Sequence, residues 1–149
     1  MKFRTHIVFT SLMFLIFWGL FEKLDVEKLT FFVFFLFGGL FPDIDTRNSK
    51  IGKYLPLGWF TKHRGYFHSI LLAAPLSLTI EFFLMGYGLA FFSGYLSHLI
   101  LDMLNHKGIA IFYPLSKQRI RGPLKTSGIF EEILFLFLTI ALITKIFLI

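Results

Sequence analysis

The sequence predicts an all-α, polytopic membrane bundle of about five transmembrane or re-entrant helices, and three observations predict it. Apolar residues make up 56% of the 149, charged residues only 16%, and 22 residues are Phe. The apolar residues fall in five long, non-alternating blocks, and among the two backbone solutions that satisfy their hydrogen bonds in lipid, such blocks suit helices rather than a barrel. The basic residues gather on one side of those blocks. An ordinary soluble domain carries roughly 25% charged residues, and a disordered chain is poor in aromatics, so both classes are excluded. The absence of cysteine removes disulfide scaffolds, thiolate metal sites and cysteine nucleophiles together. Residues 1–149 read as a single integral membrane domain.

The blocks run from Thr5 to Phe21, Leu29 to Pro42, Tyr66 to Met85, Gly88 to Leu104 and Ile129 to Ile149. A lipid core needs about 20 helical residues, with about 17 as a lower bound. The third and fifth blocks meet that length, and the first and fourth meet it narrowly. The second is short: either a span extended by the Val26–Lys28 turn or half of a re-entrant hairpin with the first. Lys2 and Arg4 before the first block resemble the start of a signal peptide. However, Phe17-Trp18-Gly19-Leu20-Phe21 offers no small-x-small cleavage site and further spans follow, so the block reads as retained.

Twelve of the 15 basic residues fall on one side. Lys2 and Arg4 precede the first block. Arg47, Lys50, Lys53, Lys62 and Arg64 follow the second, and Lys107, Lys117, Arg119, Arg121 and Lys125 follow the fourth. The positive-inside rule makes this side cytoplasmic, with the N-terminus inside and the C-terminus outside. The net charge of +6 is then a topology signal, with membrane lipids as partners and no nucleic acid expected. Gly52, Pro56 and Gly58 break the 43–65 loop. The 105–127 segment is broken by Gly108, Pro114, Gly122 and Pro123; its Ile109–Leu115 stretch is too short to span and is expected against the bundle or the interface.

The rare polar groups share one depth. His6 opens the first block, Asp43 and Asp45 close the second, His63 and His68 flank the start of the third, and His98 and Asp102 lie near the end of the fourth. A buried ionisable pair within a span is functional by default. His98 and Asp102 are four apart, so a helix puts both on one face, where they can share an ion. Asp43 and Asp45 are two apart in non-helical backbone after a proline, where one can bridge ions and the other bind or orient a histidine. Gly65 assigns His63 to the loop and His68 to the helix. Imidazole and carboxylate donors without thiolate suit one or two divalent ions, zinc first, with manganese or iron as alternatives. Arg64 is a candidate phosphate contact. Glu131 and Glu132 are expected to cap the fifth helix, with Glu132 also a candidate base.

His6, Leu40-Phe41-Pro42-Asp43-Ile44-Asp45, His63-Arg64-Gly65-Tyr66-Phe67-His68-Ser69 and Gly94-Tyr95-Leu96-Ser97-His98-Leu99-Ile100-Leu101-Asp102 together resemble the YdjM-like family of membrane-bound, metal-dependent hydrolases. The resemblance runs over roughly residues 6 to 115, with the blocks in the family's order and including Gly108 and Pro114. It implies an inner (plasma) membrane protein with a divalent metal site, and it implies no substrate. The His98-x-x-x-Asp102 element is more distantly similar to one in the helical zinc-dependent phospholipase C proteins. The chain departs from the family pattern at Asn105-His106-Lys107, which leaves any role for His106 in doubt.

The expected protein is therefore a multi-pass, metal-dependent hydrolase of the cytoplasmic leaflet, acting on a phosphoester or phospholipid-like substrate. His6, Asp43, Asp45, His63, His68, His98 and Asp102 are its expected metal ligands, and Asp45, Arg64 and Glu132 its expected catalytic groups. Two alternatives use the same cluster: a small metal or ion transporter or sensor, and a structural membrane protein that needs no ion. A transport site belongs near the midplane, whereas this cluster lies near one surface.

Overall fold

A computed structural model describes residues 1–45, 64–125 and 128–148, with Asp45 described by its backbone alone. The fold is all-α, and the described residues form five α-helices: α1 (Phe3–Phe21), α2 (Lys28–Leu40), α3 (Ile70–Phe83), α4 (Tyr87–Met103) and α5 (Ile129–Phe147). Two short 3-10 segments, Phe41–Asp45 and Tyr66–His68, follow α2 and precede α3.

Local chemistry sets the helix boundaries. Glu27 caps α2 by accepting from the backbone N–H of Leu29 (2.8 Å) and Thr30 (2.6 Å), which satisfies two of the donors a helix start leaves open. Pro42 lacks the N–H that an α-helix would use, and there the chain tightens into the 3-10 segment. Ser69 caps α3, its Oγ accepting from Leu71 N at 3.1 Å. Between α3 and α4, the Glu81 carboxylate accepts from the N–H groups of Gly86 (2.8 Å) and Leu89 (3.3 Å).

The third element differs from its sequence reading. The Ser69 cap starts α3 later than the apolar block begins, so His68 lies in the preceding 3-10 turn, outside the helix, and α3 is 14 residues long. By length and apolarity alone, one described helix, α1, can cross a membrane. Helix α5 is as long but carries Glu131, Glu132 and Lys145.

Helix α4 packs on α1, α2 and α3, while α5 lies against α1. Helices α2 and α4 both end at the same end of the bundle and cross at very close range. A Cβ built on Gly38 would lie 2.0 Å from the Phe91 carbonyl oxygen, and one on Gly94 only 1.8 Å from that of Phe35. Only glycine permits this approach, the small-residue packing common in membrane helix pairs. Beside it sit two aromatic clusters, one built on Phe14, Phe31 and Phe35, the other on Phe91, Tyr95 and Leu99. Phe14 and Phe35 meet edge to face at 5.6 Å, a favoured aromatic geometry.

The surface reverses the pattern of a soluble domain. Leu20, Phe82, Phe83, Met85, Phe137 and Phe147 are exposed, whereas His6, Thr10, Ser97, His98, Asp102 and Glu131 are buried. The 105–124 segment folds back onto the bundle. Ile109 and Ile120 exchange backbone hydrogen bonds (3.1 and 2.9 Å), and Ile111 O accepts from Ile70 N at 2.9 Å. Ile109 and Ala110 are buried as a result.

Candidate metal centre

The starts of α1 and α3 and the ends of α2 and α4 deliver polar side chains to the same end of the bundle. His6 comes from the first turns of α1, Asp43 from the 3-10 segment after α2, His68 from the turn before α3, and His98 with Asp102 from the last turns of α4. All but Asp43 are almost fully buried.

Two ligand groupings result: His6, His98 and Asp102, and Asp43, His68 and His98, each with ligand atoms within 4.8 Å of one another. The rings of His6 and His98 stack at 3.8 Å. Their neighbours stand just beyond hydrogen-bond range. His6 Nε2 lies 3.6 Å from Asp102 Oδ1, His68 Nε2 lies 3.5 Å from Asp102 Oδ2, and His98 Nε2 lies 3.8 Å from Asp43 Oδ1.

The hydrogen bonding of His98 decides what it can do. Its Nδ1 is 2.8 Å from the carbonyl oxygen of Gly39. A carbonyl can only accept, so Nδ1 carries the proton and Nε2 is left with its lone pair facing the cluster. That is the form in which imidazole binds metal, oriented by a backbone carbonyl on its other nitrogen. Among the described residues, Nε2 of His98 and both ring nitrogens of His6 are buried without a hydrogen-bond partner. Buried polar atoms are nearly always satisfied, so these donors fit a cation held among them.

Asp102 is the electrostatic centre. The Met1 amino group lies 2.9 Å from its Oδ1, and the Arg64 guanidinium lies 3.4 Å from its Oδ2. A carboxylate buried this deeply requires such partners. Arg64 is itself buried and adopts a positive φ of 64°. Its guanidinium donates to Gly108 O at 3.3 Å. A non-glycine residue held there costs of order 1–3 kcal/mol and is characteristic of functional sites.

The family model of the YdjM inner membrane proteins matches residues 1–148. This chain belongs to the YdjM family. It is also 30% identical over 77 residues to "Uncharacterized protein ORF4'" of Methanothermobacter thermautotrophicus, an alignment covering 52% of this chain and 33% of that protein. The match thus spans about a third of that relative's length. No solved structure matches.

The other expected site residues of this YdjM-family protein are placed as follows. His63 lies outside the described residues, and of Asp45 only the backbone is described. Glu132 stays apart from both groupings. It is exposed and pairs with Lys2 and Arg4, tying the start of α5 to the start of α1. Its neighbour Glu131 is the buried one and accepts from the Lys2 backbone N–H. Adjacent helical positions point about 100° apart, so only one of the two can face inward. His106 is exposed and lines a cavity with Asp43, Arg64 and Asp102. The Gly39 carbonyl was not legible in the sequence, because any backbone carbonyl is chemically the same there.

Proposed function

We propose that this protein is a multi-pass, divalent-metal-dependent hydrolase of the inner membrane, acting on a phosphoester at the cytoplasmic leaflet. One observation carries the reading. Among the described residues, the His6 ring nitrogens and His98 Nε2, buried without hydrogen-bond partners, converge with two carboxylates at one end of the bundle, where family membership and an apolar outer surface favour a membrane setting. In this reading residues 1–149 act as one membrane domain. The exposed Phe and Leu side chains face lipid, as large exposed apolar patches demand.

His6, His68, His98, Asp43 and Asp102 would hold one or two ions, with Asp45 and His63 completing the set; zinc is the first choice for these donors. When bound, such an ion lowers the pKa of a coordinated water and stabilises charge on a phosphoryl oxygen. The chain's own residues do the rest. Gly39 fixes the tautomer and orientation of His98. Arg64, anchored by Gly108, presents positive charge beside the carboxylates, where negative charge develops on the substrate. The proton-accepting role is assigned to Asp45, because Glu132 is already committed to Lys2 and Arg4. The 105–124 segment supplies a basic surface toward anionic headgroups.

The test is metal content. The full chain purified in detergent should retain a divalent ion, and His98→Ala and Asp102→Ala should lose it. Freshly prepared intact protein devoid of metal would overturn the reading. If metal is present, release of phosphate or headgroup from a panel of phosphoesters, lost in both variants, separates a hydrolase from a transporter or sensor.

A further inference from the structure

A cavity of about 490 Å³ opens on the cluster. Its wall joins two unlike sets of residues. Asp43, Arg64 and Asp102 belong to the cluster, whereas Lys107, Arg119 and Arg121 come from the 105–124 segment. That segment contains no Asp or Glu. Among the described residues, none of the three segment cations that line the cavity has a carboxylate partner, whereas the cavity's Lys2 pairs with Glu132 and its Arg64 with Asp102. Arg119 donates to the Lys107 carbonyl at 3.4 Å, which holds it across the fold of the segment. Among the described residues, no Phe, Tyr or Trp lines the cavity, so these residues form no aromatic cage of the kind that holds a quaternary ammonium. Among the described residues, the wall thus carries Arg64 beside the carboxylates at one end and Lys107, Arg119 and Arg121 without carboxylate partners at the other.

One phosphoryl group beside Asp43, Arg64 and Asp102 leaves Lys107, Arg119 and Arg121 without an anion. We propose that the substrate is a diphosphate ester. Its terminal phosphoryl sits at the cluster, and its internal phosphate is held by Lys107, Arg119 and Arg121. This rests on the hydrolase reading and names its substrate class. In the reaction the oxygen of a water bonds to the terminal phosphorus and the bond from that phosphorus to the bridging oxygen breaks. The products are a phosphomonoester and inorganic phosphate, with one proton released. No oxidant or reductant is involved.

The experiment has a binding arm and a turnover arm. Methylenediphosphonate and inorganic phosphate are titrated calorimetrically into the metal-stripped full chain in detergent, so that chelation and hydrolysis play no part. The diphosphonate should bind at least about tenfold more tightly, since a second phosphonate adds charge-assisted contacts. The double variant Arg119→Gln/Arg121→Gln should abolish that advantage, Arg119→Lys/Arg121→Lys should keep part of it, and Lys145→Gln should keep all of it. Equal binding of the two anions, or an advantage that survives the double Gln variant, overturns the proposal. With zinc restored, phosphate release from a long-chain alkyl diphosphate in mixed micelles is compared with release from inorganic diphosphate. Preference for the first identifies a lipid-borne diphosphate ester, preference for the second overturns the ester, and release of choline or phosphocholine from phosphatidylcholine that outpaces both overturns the proposal. A binding preference without turnover supports the diphosphate site and counts against the hydrolase reading. Turnover of other esters without a binding preference sinks the diphosphate proposal alone.

Discussion

The imidazoles of His6 and His98 lie face to face, 3.8 Å between centroids and 10° from parallel, although they sit on different helices 92 positions apart in the chain. Stacking alone requires only flat rings, whereas ligation requires the nitrogens. His6→Phe separates the two: it keeps a stacked ring and removes both donors. The variant should remain folded, with zinc affinity in a chelator-competition titration lowered at least roughly tenfold, the low end of what losing even an outer partner of a metal ligand costs. Unchanged zinc affinity would remove His6 from the ligand set.

Gly94→Ala tests the α2–α4 crossing that positions His98 against Gly39. The added methyl would meet the Phe35 carbonyl at 1.8 Å, and backbone cannot swing aside as a flexible side chain can. Overpacking of this kind costs typically about 1–3 kcal/mol. Thermal unfolding in detergent should show the loss together with weaker metal binding. A variant as stable as the parent would show that the crossing can widen freely.

Ser69 ties the turn carrying His68 to the 105–124 segment. Its Oγ lies 2.8 Å from Ile111 O and 2.7 Å from Tyr113 O, and accepts from Leu71 N. Ser69→Ala leaves those partly buried groups with one partner fewer, a cost of about 1 kcal/mol. We expect a lower unfolding temperature and faster release of bound metal to a chelator. Release at the parent's rate would uncouple the segment from the site.

Glu27 provides a pH signature away from the cluster. Hydrogen bonding by the Thr30 side chain, then by the backbone of Thr30 and Leu29, holds its carboxyl below the usual glutamate value. A folded-state pKa below the unfolded one gives stabilisation that is complete above the unfolded value and lost as pH falls through the folded value. The unfolding temperature of the parent should therefore exceed that of Glu27→Gln at about pH 7, with the gap closing as the medium is acidified through and below the normal carboxylate range. A gap independent of pH would argue against the charged cap.

Orientation is checked with single thiols, since the chain has no native cysteine. In intact cells, Lys117→Cys should resist a membrane-impermeant maleimide and Lys23→Cys should react. After permeabilisation both should label. The reverse pattern places the metal centre on the outer face.

The sequence by itself determined the helical class, the family and which polar residues gather at one end of the bundle. Long, non-alternating apolar blocks suit helices, and five of the residues at their polar ends, His6, Asp43, His68, His98 and Asp102, meet because successive helices reverse direction. The four-residue spacing of His98 and Asp102 already put both on one face of α4. Tertiary structure alone decided which nitrogen of His98 faces the cluster, because that depends on how closely Gly38 and Gly94 let α2 approach α4. It also chose Glu131 over Glu132 as the buried carboxylate and placed His68 in a 3-10 turn before α3. Periodicity reads which residues share a face. It does not read crossing distance, rotamer or the position of a cap, and those three set the geometry of this site.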